Sequence, residues 1–425
     1  MTSDARTKMT PYHWRLFLFL GVASFFEGYD HIALSQILPN FRAEMGVSEV
    51  LGSRMVGVIM AGTVVAFLLV RYADRVGRRP VLTLTIAGYT ICSFLSGLSP
   101  NWWVFMVLQF LARIFLIGEW AISMVYAAEE FPADRRGLMI GLVNAFAAFG
   151  SVACAGLVPI LLDSAPEGWG WRSVYFVGTL PLILLAFARR SLKETRRFEE
   201  QKGIELPSLF AIWSTPYRRR VVQLAIIWAL TYLCTQTAVF FWKEHAVAAD
   251  GPLRYTDAQV GGIVVVAALV AMPLTFAVGH LFDLVGRKLG AAIVYGVMAF
   301  AVVGAYAQTN LVLLTISLTA AIFGGTAVLP VLNAFTTELF PTESRSQAFA
   351  WSNNLLGRIG YIGGPFIVGE LHKLYGWGPS VIGTVPFLVL ALLLIQFWLP
   401  ETRGKELEES SALPDREAKG PVAFE

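Results

Sequence analysis

The chain has 425 residues, 56% of them hydrophobic and 15% charged, with a formal net charge of +3 and a mean hydropathy of +0.61. Soluble domains hold about 45–50% apolar and about 25% charged residues, so these figures exclude a water-soluble globular protein and place the chain in a bilayer. Cys92, Cys154 and Cys234 lie inside apolar runs without disulfide or metal-ligand spacing, which points away from redox or metal chemistry.

Residues 1–14 are mostly polar. The apolar run at 15–41 is too long for a signal-peptide core and lacks a small-residue cleavage site, so it is expected to be retained as span 1. Runs of about 20 residues or more, each long enough to cross, follow at 51–72, 79–99, 102–131, 137–163 and 171–190. A polar link at 191–218 separates them from runs at 219–245, 256–282, 288–308, 310–340, 346–372 and 378–399. The expected fold is therefore an all-α polytopic membrane protein of twelve transmembrane helices. Its parts are a first bundle of six at 1–190, a linker at 191–218, a second bundle at 219–399 and a polar tail at 400–425.

Lysine and arginine fall unevenly about these spans. With both termini inside, the inner segments carry twenty-five of the 33 basic residues and the outer segments six, while Arg113 and Arg358 remain at membrane depth. The bias predicts an integral plasma (bacterial inner) membrane protein with both ends in the cytoplasm.

One offset runs through the chain. Asp74, Gly77, Arg78 and Arg79 reappear as Asp283, Gly286, Arg287 and Lys288, each shifted by 209 residues. Glu129-Glu130-Phe131-Pro132 with Arg136 reappears at the same shift as Glu338-Leu339-Phe340-Pro341 with Arg345. A third, looser echo joins Glu194-Thr195-Arg196 to Glu401-Thr402-Arg403. A constant offset over separate motifs is the mark of an internal duplication.

The hinge between spans 2 and 3, Asp74-Arg75-Val76-Gly77-Arg78-Arg79, resembles the G-x-x-x-D-R/K-x-G-R-R/K signature of the major facilitator superfamily. The second copy has Gly279 at the first position, where the first has Val70. The resemblance implies two six-helix bundles around a central cavity, with access alternating between the two membrane faces. Glu27-Gly28-Tyr29-Asp30 is similar to the motif of the branch of proton symporters for aromatic and other organic acids, close to the metabolite:proton symporters. Gly357-Arg358-Ile359-Gly360 with Gly364-Pro365 is similar to a motif of the same branch. Where many members have an arginine early in span 4, this chain has Gln109, and Arg113 stands one turn later.

Arg358 lies about twelve residues from either end of span 11, roughly 18 Å from water at about 1.5 Å per residue, beyond the reach of snorkelling. An arginine at such depth is expected to face a wet cavity or a fixed anion, and its planar fork can grip a carboxylate through two hydrogen bonds. It is the first substrate-binding candidate, with an internal ion pair to a span 1 carboxylate as the plainer reading. Arg113 is the second, and Tyr29, Tyr361, Asn144 and Asn353 are weaker ones. Asp30, midway along span 1, is the first candidate for a coupling proton site, since a carboxylate in a low-dielectric cavity can exchange a proton when access and partner change together. Glu27 one turn earlier, Glu119 in span 4 and His31 are further candidates. A fixed structural ion pair is the competing reading for each charged member.

Asp74, Arg75, Gly77, Arg78, Arg79, Glu129 and Arg136, with Asp283, Gly286, Arg287, Lys288, Glu338 and Arg345, are expected to form a gate rather than a binding site. Glu194, Arg196, Glu401 and Arg403 supply further charges on the same side. Weak exposed pairs, each worth about 0–1 kcal/mol, suit a latch that breaks in every cycle.

No nucleotide-binding loop, nucleophile elbow or metal-ligand cluster occurs in the sequence. An enzyme is not expected, nor a cofactor, a metal or a nucleic-acid partner. The leading expectation is a monomeric, proton-coupled importer of a small organic anion. A neutral-solute symporter of sugar type, an efflux antiporter and a non-transporting receptor are the rivals.

Overall fold

The structure, a computed structural model, describes residues 9–132, 135–188 and 208–412. Among them the regular structure is helical. The first six helices are α1 Pro11–Met45, α2 Glu49–Val76, α3 Arg78–Gly97, α4 Trp102–Glu130, α5 Arg136–Ser164 and α6 Gly170–Ala188. After a short 3-10 segment at Leu209–Ser214 come α7 Arg218–Phe240, α8 Trp242–Val247, α9 Asp257–Val285, α10 Arg287–Ala307 and α11 Leu311–Glu338. Then follow α12 Thr342–Phe349, a π-helical segment Ala350–Gly357, α13 Arg358–Tyr375, α14 Trp377–Ile382, α15 Val385–Trp398 and α16 Leu407–Ser411.

Among the described residues, ten spans are long and apolar enough to cross a membrane as they stand. The other two predicted spans are α6 and the run from α12 through α13. The helix ends fall within a few residues of those expected, and polar caps set two of the starts. Asn101 accepts from Val104 N at 3.0 Å to start α4, and Asn310 accepts from Val312 N at 3.0 Å to start α11. These two caps again stand 209 residues apart.

Three spans are not the single helices expected. Span 7 divides into α7 and α8, span 12 into α14 and α15, and span 11 contains the π turn. The π turn has a visible cause. A Cβ on Gly357 would lie 2.6 Å from Ser352 O, five residues earlier, so the wide turn needs a glycine there. The position 209 residues before it is Ala148, and α5 runs through that point as ordinary α-helix.

The described residues form two compact units. The first comprises those of Met1–Ser48, Val58–Glu205 and Thr256–Val265; the second comprises those of Glu49–Gly57, Leu206–Tyr255 and Val266–Glu425. In the first unit α1 lies against α5 closely enough that a Cβ on Gly28 would sit 1.8 Å from Ala147 O, and Ser151 Oγ donates to Gly28 O at 2.9 Å. Small residues at a helix crossing let backbones approach in this way. One end of the unit is closed by Phe41, Phe105 and Trp171, whose rings pack at 4.3 to 5.5 Å.

In the second unit α7 takes the place of α1. A Cβ on Gly360 of α13 would sit 1.8 Å from Ala229 O of α7. Trp228 Nε1 donates to Thr336 Oγ1 at 3.1 Å and Tyr306 OH to Ala238 O at 2.7 Å, so these two buried donors of the helix interfaces are satisfied. Glu49 and Arg54, from the start of α2, pair in this unit with His372 and Glu370.

Candidate functional site

The candidate residues gather at one place in each unit, a group of charges in the first and Arg358 among aromatic rings in the second. In the first unit Asp30 is 6% exposed, Arg113 2% and Glu119 4%, and Glu27 is half-buried. Burial of ionisable residues in an apolar bundle is costly, which makes these residues site candidates. Tyr89 and Ser93 hydrogen-bond the Asp30 carboxylate, Ser93 Oγ at 3.5 Å. Arg113 lies within electrostatic reach of both Asp30 and Glu27, and its Nη1 is 3.5 Å from His31 Nδ1. Glu119 accepts from Ser123 Oγ at 2.9 Å and Thr85 Oγ1 at 3.3 Å, and stands within reach of Glu27. Two carboxylates therefore share one guanidinium, and a third, Glu119, lies within reach of Glu27.

Sequence reasoning named Glu27, Asp30, His31, Arg113 and Glu119, and the structure brings all five together. It passed over the hydroxyl groups that hold them. Thr85, Tyr89 and Ser93 recur every fourth residue along α3, a polar stripe in an apolar span that marks one face and could have been read. The position of Gln109 is also explained: its Nε2 donates to Ser96 Oγ at 3.0 Å, one turn from the acidic group. Tyr29 stands apart, its hydroxyl donating to Val174 O at 3.1 Å as part of the packing of α1 on α6. Asn144 is exposed on α5.

In the second unit Arg358 opens α13 immediately after the π turn. Its guanidinium carbon lies 5.0 Å from the Tyr232 ring centroid and 5.1 Å from that of Tyr361, and the two rings meet edge to face at 5.6 Å. Rings at this distance attract the cation through their faces but leave its N–H edge available. Tyr232 OH donates to Asn353 Oδ1 at 2.9 Å, which fixes the ring and turns the Asn353 amide nitrogen away from it. Trp228 packs on Tyr232 at 5.1 Å. Arg358 is half-buried and has no carboxylate partner among the described residues. Tyr361, Asn353 and Arg358 thus come together as candidates, joined by Tyr232, which the sequence showed only as one aromatic among many.

The expected gate residues occupy the helix ends at the hinges. Gly77 and Gly286 have φ of 116° and 93°, values open to glycine, and let α3 and α10 start directly after α2 and α9. Arg78 Nη2 lies 3.3 Å from Glu129 Oε1, and Arg287 Nη2 lies 3.1 Å from Glu338 Oε1. Thr402 Oγ1 donates to the other Glu338 oxygen. Arg345 Nη2 donates to Phe340 O at 3.3 Å, while Arg75, Arg79 and Arg403 are exposed and Arg136 and Lys288 half-buried. Glu401 takes the N-terminus of α10: Arg287 N and Lys288 N donate to its two oxygens at 2.9 Å each, and Thr402 N and Arg403 N add bonds at 3.0 Å. Burial works against the charged carboxylate, but these four backbone donors outweigh it and hold Glu401 below the ordinary range. Glu194 and Arg196, and the side chains of Asp74 and Asp283, lie outside the described residues.

The duplicated hinge, the duplicated ion pair and the buried charges are accompanied by a match to the family model of the Major Facilitator Superfamily over residues 20–247 and 251–421. The chain belongs to the Major Facilitator Superfamily. It is 24% identical over 385 residues to the sialic acid transporter NanX of Escherichia coli, covering 88% of this chain and 91% of that one. It is 27% identical over 404 residues to the putative niacin/nicotinamide transporter NiaP of Bacillus subtilis, covering 92% and 97%. The structure of the xylose transporter XylE from E. coli superposes with a TM-score of 0.73 at 20% identity, over 93% of this chain and 98% of that one, a likeness of fold. The superfamily assignment makes this chain an integral membrane transporter of small molecules, with relatives that include carriers of organic acids.

Proposed function

We propose that this superfamily member imports a small organic anion, an aromatic or other carboxylate, together with protons by alternating access, with both termini in the cytoplasm. The observation that carries the reading is Arg358, half-buried between the rings of Tyr232 and Tyr361 with no carboxylate partner among the described residues. A guanidinium so placed supplies two parallel N–H donors to a carboxylate, and the flanking rings supply flat apolar walls. The Asn353 amide nitrogen adds a further donor to the same ligand. Sialic acid, in the name of one relative, is a carboxylic acid, and the name of the other pairs the carboxylic acid niacin with its neutral amide, nicotinamide.

Proton coupling is read from the first unit. Full ionisation of Glu27 and Asp30 beside the single guanidinium of Arg113, with Glu119 within reach of Glu27, leaves an excess of negative charge in a low-dielectric interior, and one bound proton relieves it. Asp30 is the proposed carrier. Tyr89 and Ser93 are able to hydrogen-bond either protonation state, so the proton can leave without loss of the cage. In this reading Arg113 serves as the counter-charge to the carboxylates of its own unit. Orientation rests on the excess of lysine and arginine in the hinge-side segments.

The test is uptake into proteoliposomes under an inward proton gradient, comparing nicotinate with nicotinamide, two rings of one shape that differ in the carboxylate. Accumulation of the acid alone, abolished by a protonophore, supports the reading. Gradient-driven uptake of the amide equal to that of the acid overturns the anion assignment.

A further inference from the structure

We propose that His372 makes the second unit's hold on the start of α2 sensitive to pH: protonated, it clasps Glu49 and keeps the first turns of α2 on α13, and neutral, it lets them loosen. The proposal concerns the second unit by itself. It rests on neither the substrate site nor the direction of transport.

α2 is one helix, Glu49–Val76, but Glu49–Gly57 belongs to the second unit and the helix from Val58 onward to the first. Along that opening stretch it lies hard against α13. A Cβ on Gly369 would sit 2.5 Å from Ser53 Cβ, and one on Gly57 would sit 2.3 Å from Phe366 Cε2. Two polar links reinforce the contact. In one, Arg54 Nε donates to Glu370 Oε1 at 3.0 Å and Lys373 Nζ to Glu370 Oε2 at 2.9 Å. In the other, His372 Nε2 pairs with the Glu49 carboxylate. Arginine and lysine stay charged throughout the physiological range, whereas histidine is the side chain that ordinarily changes its charge between about pH 5 and 8. Only the second link can therefore respond to pH in that range.

His372 is placed so that its charge is felt. Its imidazole stacks on the Trp377 indole of α14, with centroids 4.1 Å apart and planes 24° from parallel, and its side chain is 11% exposed. An imidazolium gains a charge-assisted bond to the carboxylate, about twice as strong as a neutral one, and attraction to the face of the indole. The neutral ring keeps a single ordinary N–H bond. Nδ1 is buried with no hydrogen-bond partner among the described residues, so the second N–H of the imidazolium goes unbonded and the net gain is a few-fold rather than large. The other charged side chains on this contact are Arg54 from α2 and Glu370 and Lys373 from α13, and these three bond one another. α14 carries no ionisable side chain. In the orientation proposed above, this end of α2 faces outward, and the clasp responds to the pH of the outer medium.

The experiment is maleimide labelling of Ser53→Cys in the full-length protein in detergent, at about pH 5.5 and about pH 7.5. Ser53 is fully buried under α13, and the three native cysteines are buried as well. Each rate is divided by that of a free thiol peptide at the same pH, and labelling of protein without Ser53→Cys is subtracted. With His372 present, the corrected rate is expected to rise about threefold to fivefold between the lower and the higher pH. His372→Gln and, separately, Glu49→Gln are expected to make the two rates equal. Arg54→Gln is expected to raise both rates and preserve their ratio. A corrected rate that does not change with pH while His372 is present, or a ratio that survives His372→Gln, overturns the proposal. Loss of the ratio in Arg54→Gln would overturn the assignment to His372, since the response would then belong to the contact as a whole. Because the protein is in detergent, with both ends in one medium, none of these outcomes depends on the transport reading.

Discussion

Arg287 and Glu338 form an ion pair at 3.1 Å, and 209 residues earlier Arg78 and Glu129 form the same pair at 3.3 Å. The side chains are 12 to 19% exposed, so these are sheltered pairs rather than surface ones. In each unit the pair ties the first residue of the helix after a hinge to the end of the next helix, α3 to α4 and α10 to α11. The duplication has preserved a contact as well as a sequence.

A double-mutant cycle on Arg287→Gln and Glu338→Gln is therefore expected to give a coupling of about 1 kcal/mol or slightly more, read from melting temperatures in detergent. Arg78→Gln with Glu129→Gln is expected to give a similar value. Additive single effects in both cycles would show that the pairs contribute no stability.

Gly360→Ala is expected to destabilise the protein severely, because the new Cβ would meet Ala229 O at 1.8 Å where α13 lies on α7. Overpacking of this kind costs about 1–3 kcal/mol and sometimes more. Gly363→Ala, three residues along the same helix with nothing within 4 Å, is expected to behave as wild type. Size-exclusion profiles of the two variants compare them directly, and equal monodispersity would contradict the close packing.

Glu401 carries a pH dependence. Its folded-state pKa is depressed, since four backbone N–H groups favour the carboxylate more than burial opposes it. A depressed acid contributes stability that is complete above its unfolded value, about 4.3 for a glutamate, and is lost as pH falls through the folded value. The gap in melting temperature between wild type and Glu401→Gln is thus expected to be full near pH 7 and to close below about pH 4. A gap that stays constant on acidification would contradict the role given to these backbone bonds.

Asp30→Asn removes the proposed proton carrier while keeping the hydrogen bonds of Tyr89 and Ser93 within reach. Expected is loss of accumulation driven by a proton gradient, with exchange of preloaded substrate retained, as measured in the same proteoliposomes. Retained accumulation would move the coupling to Glu27 or Glu119.

Much of this was legible in the chain itself. Twelve apolar runs gave the spans to within a few residues, because the free backbone groups of a helix end need polar partners, such as Asn101 and Asn310 supply at two starts. Depth alone singled out Asp30, Arg113, Glu119 and Arg358, since isolated charges in such spans are rare. The π turn before Arg358 was not legible, because it depends on a single missing Cβ at Gly357 against Ser352 O. Nor was the role of Tyr232, since among the 13 tyrosines its position gives no hint of the Arg358 guanidinium 126 residues on. Partner choice across helices, as for Glu401 with the start of α10 or Glu129 with Arg78, follows from packing that the periodicity of one helix does not contain.

The most direct test of the account is equilibrium binding of an aromatic carboxylate to purified protein, comparing wild type with Arg358→Gln and Tyr232→Leu. Loss of one partner of a sheltered charge pair costs about 2–5 kcal/mol. Arg358→Gln is accordingly predicted to weaken the acid by about 30-fold or more, and Tyr232→Leu to weaken it by a smaller factor. An affinity for the carboxylate that survives Arg358→Gln unchanged would contradict the central claim that this arginine receives the substrate anion.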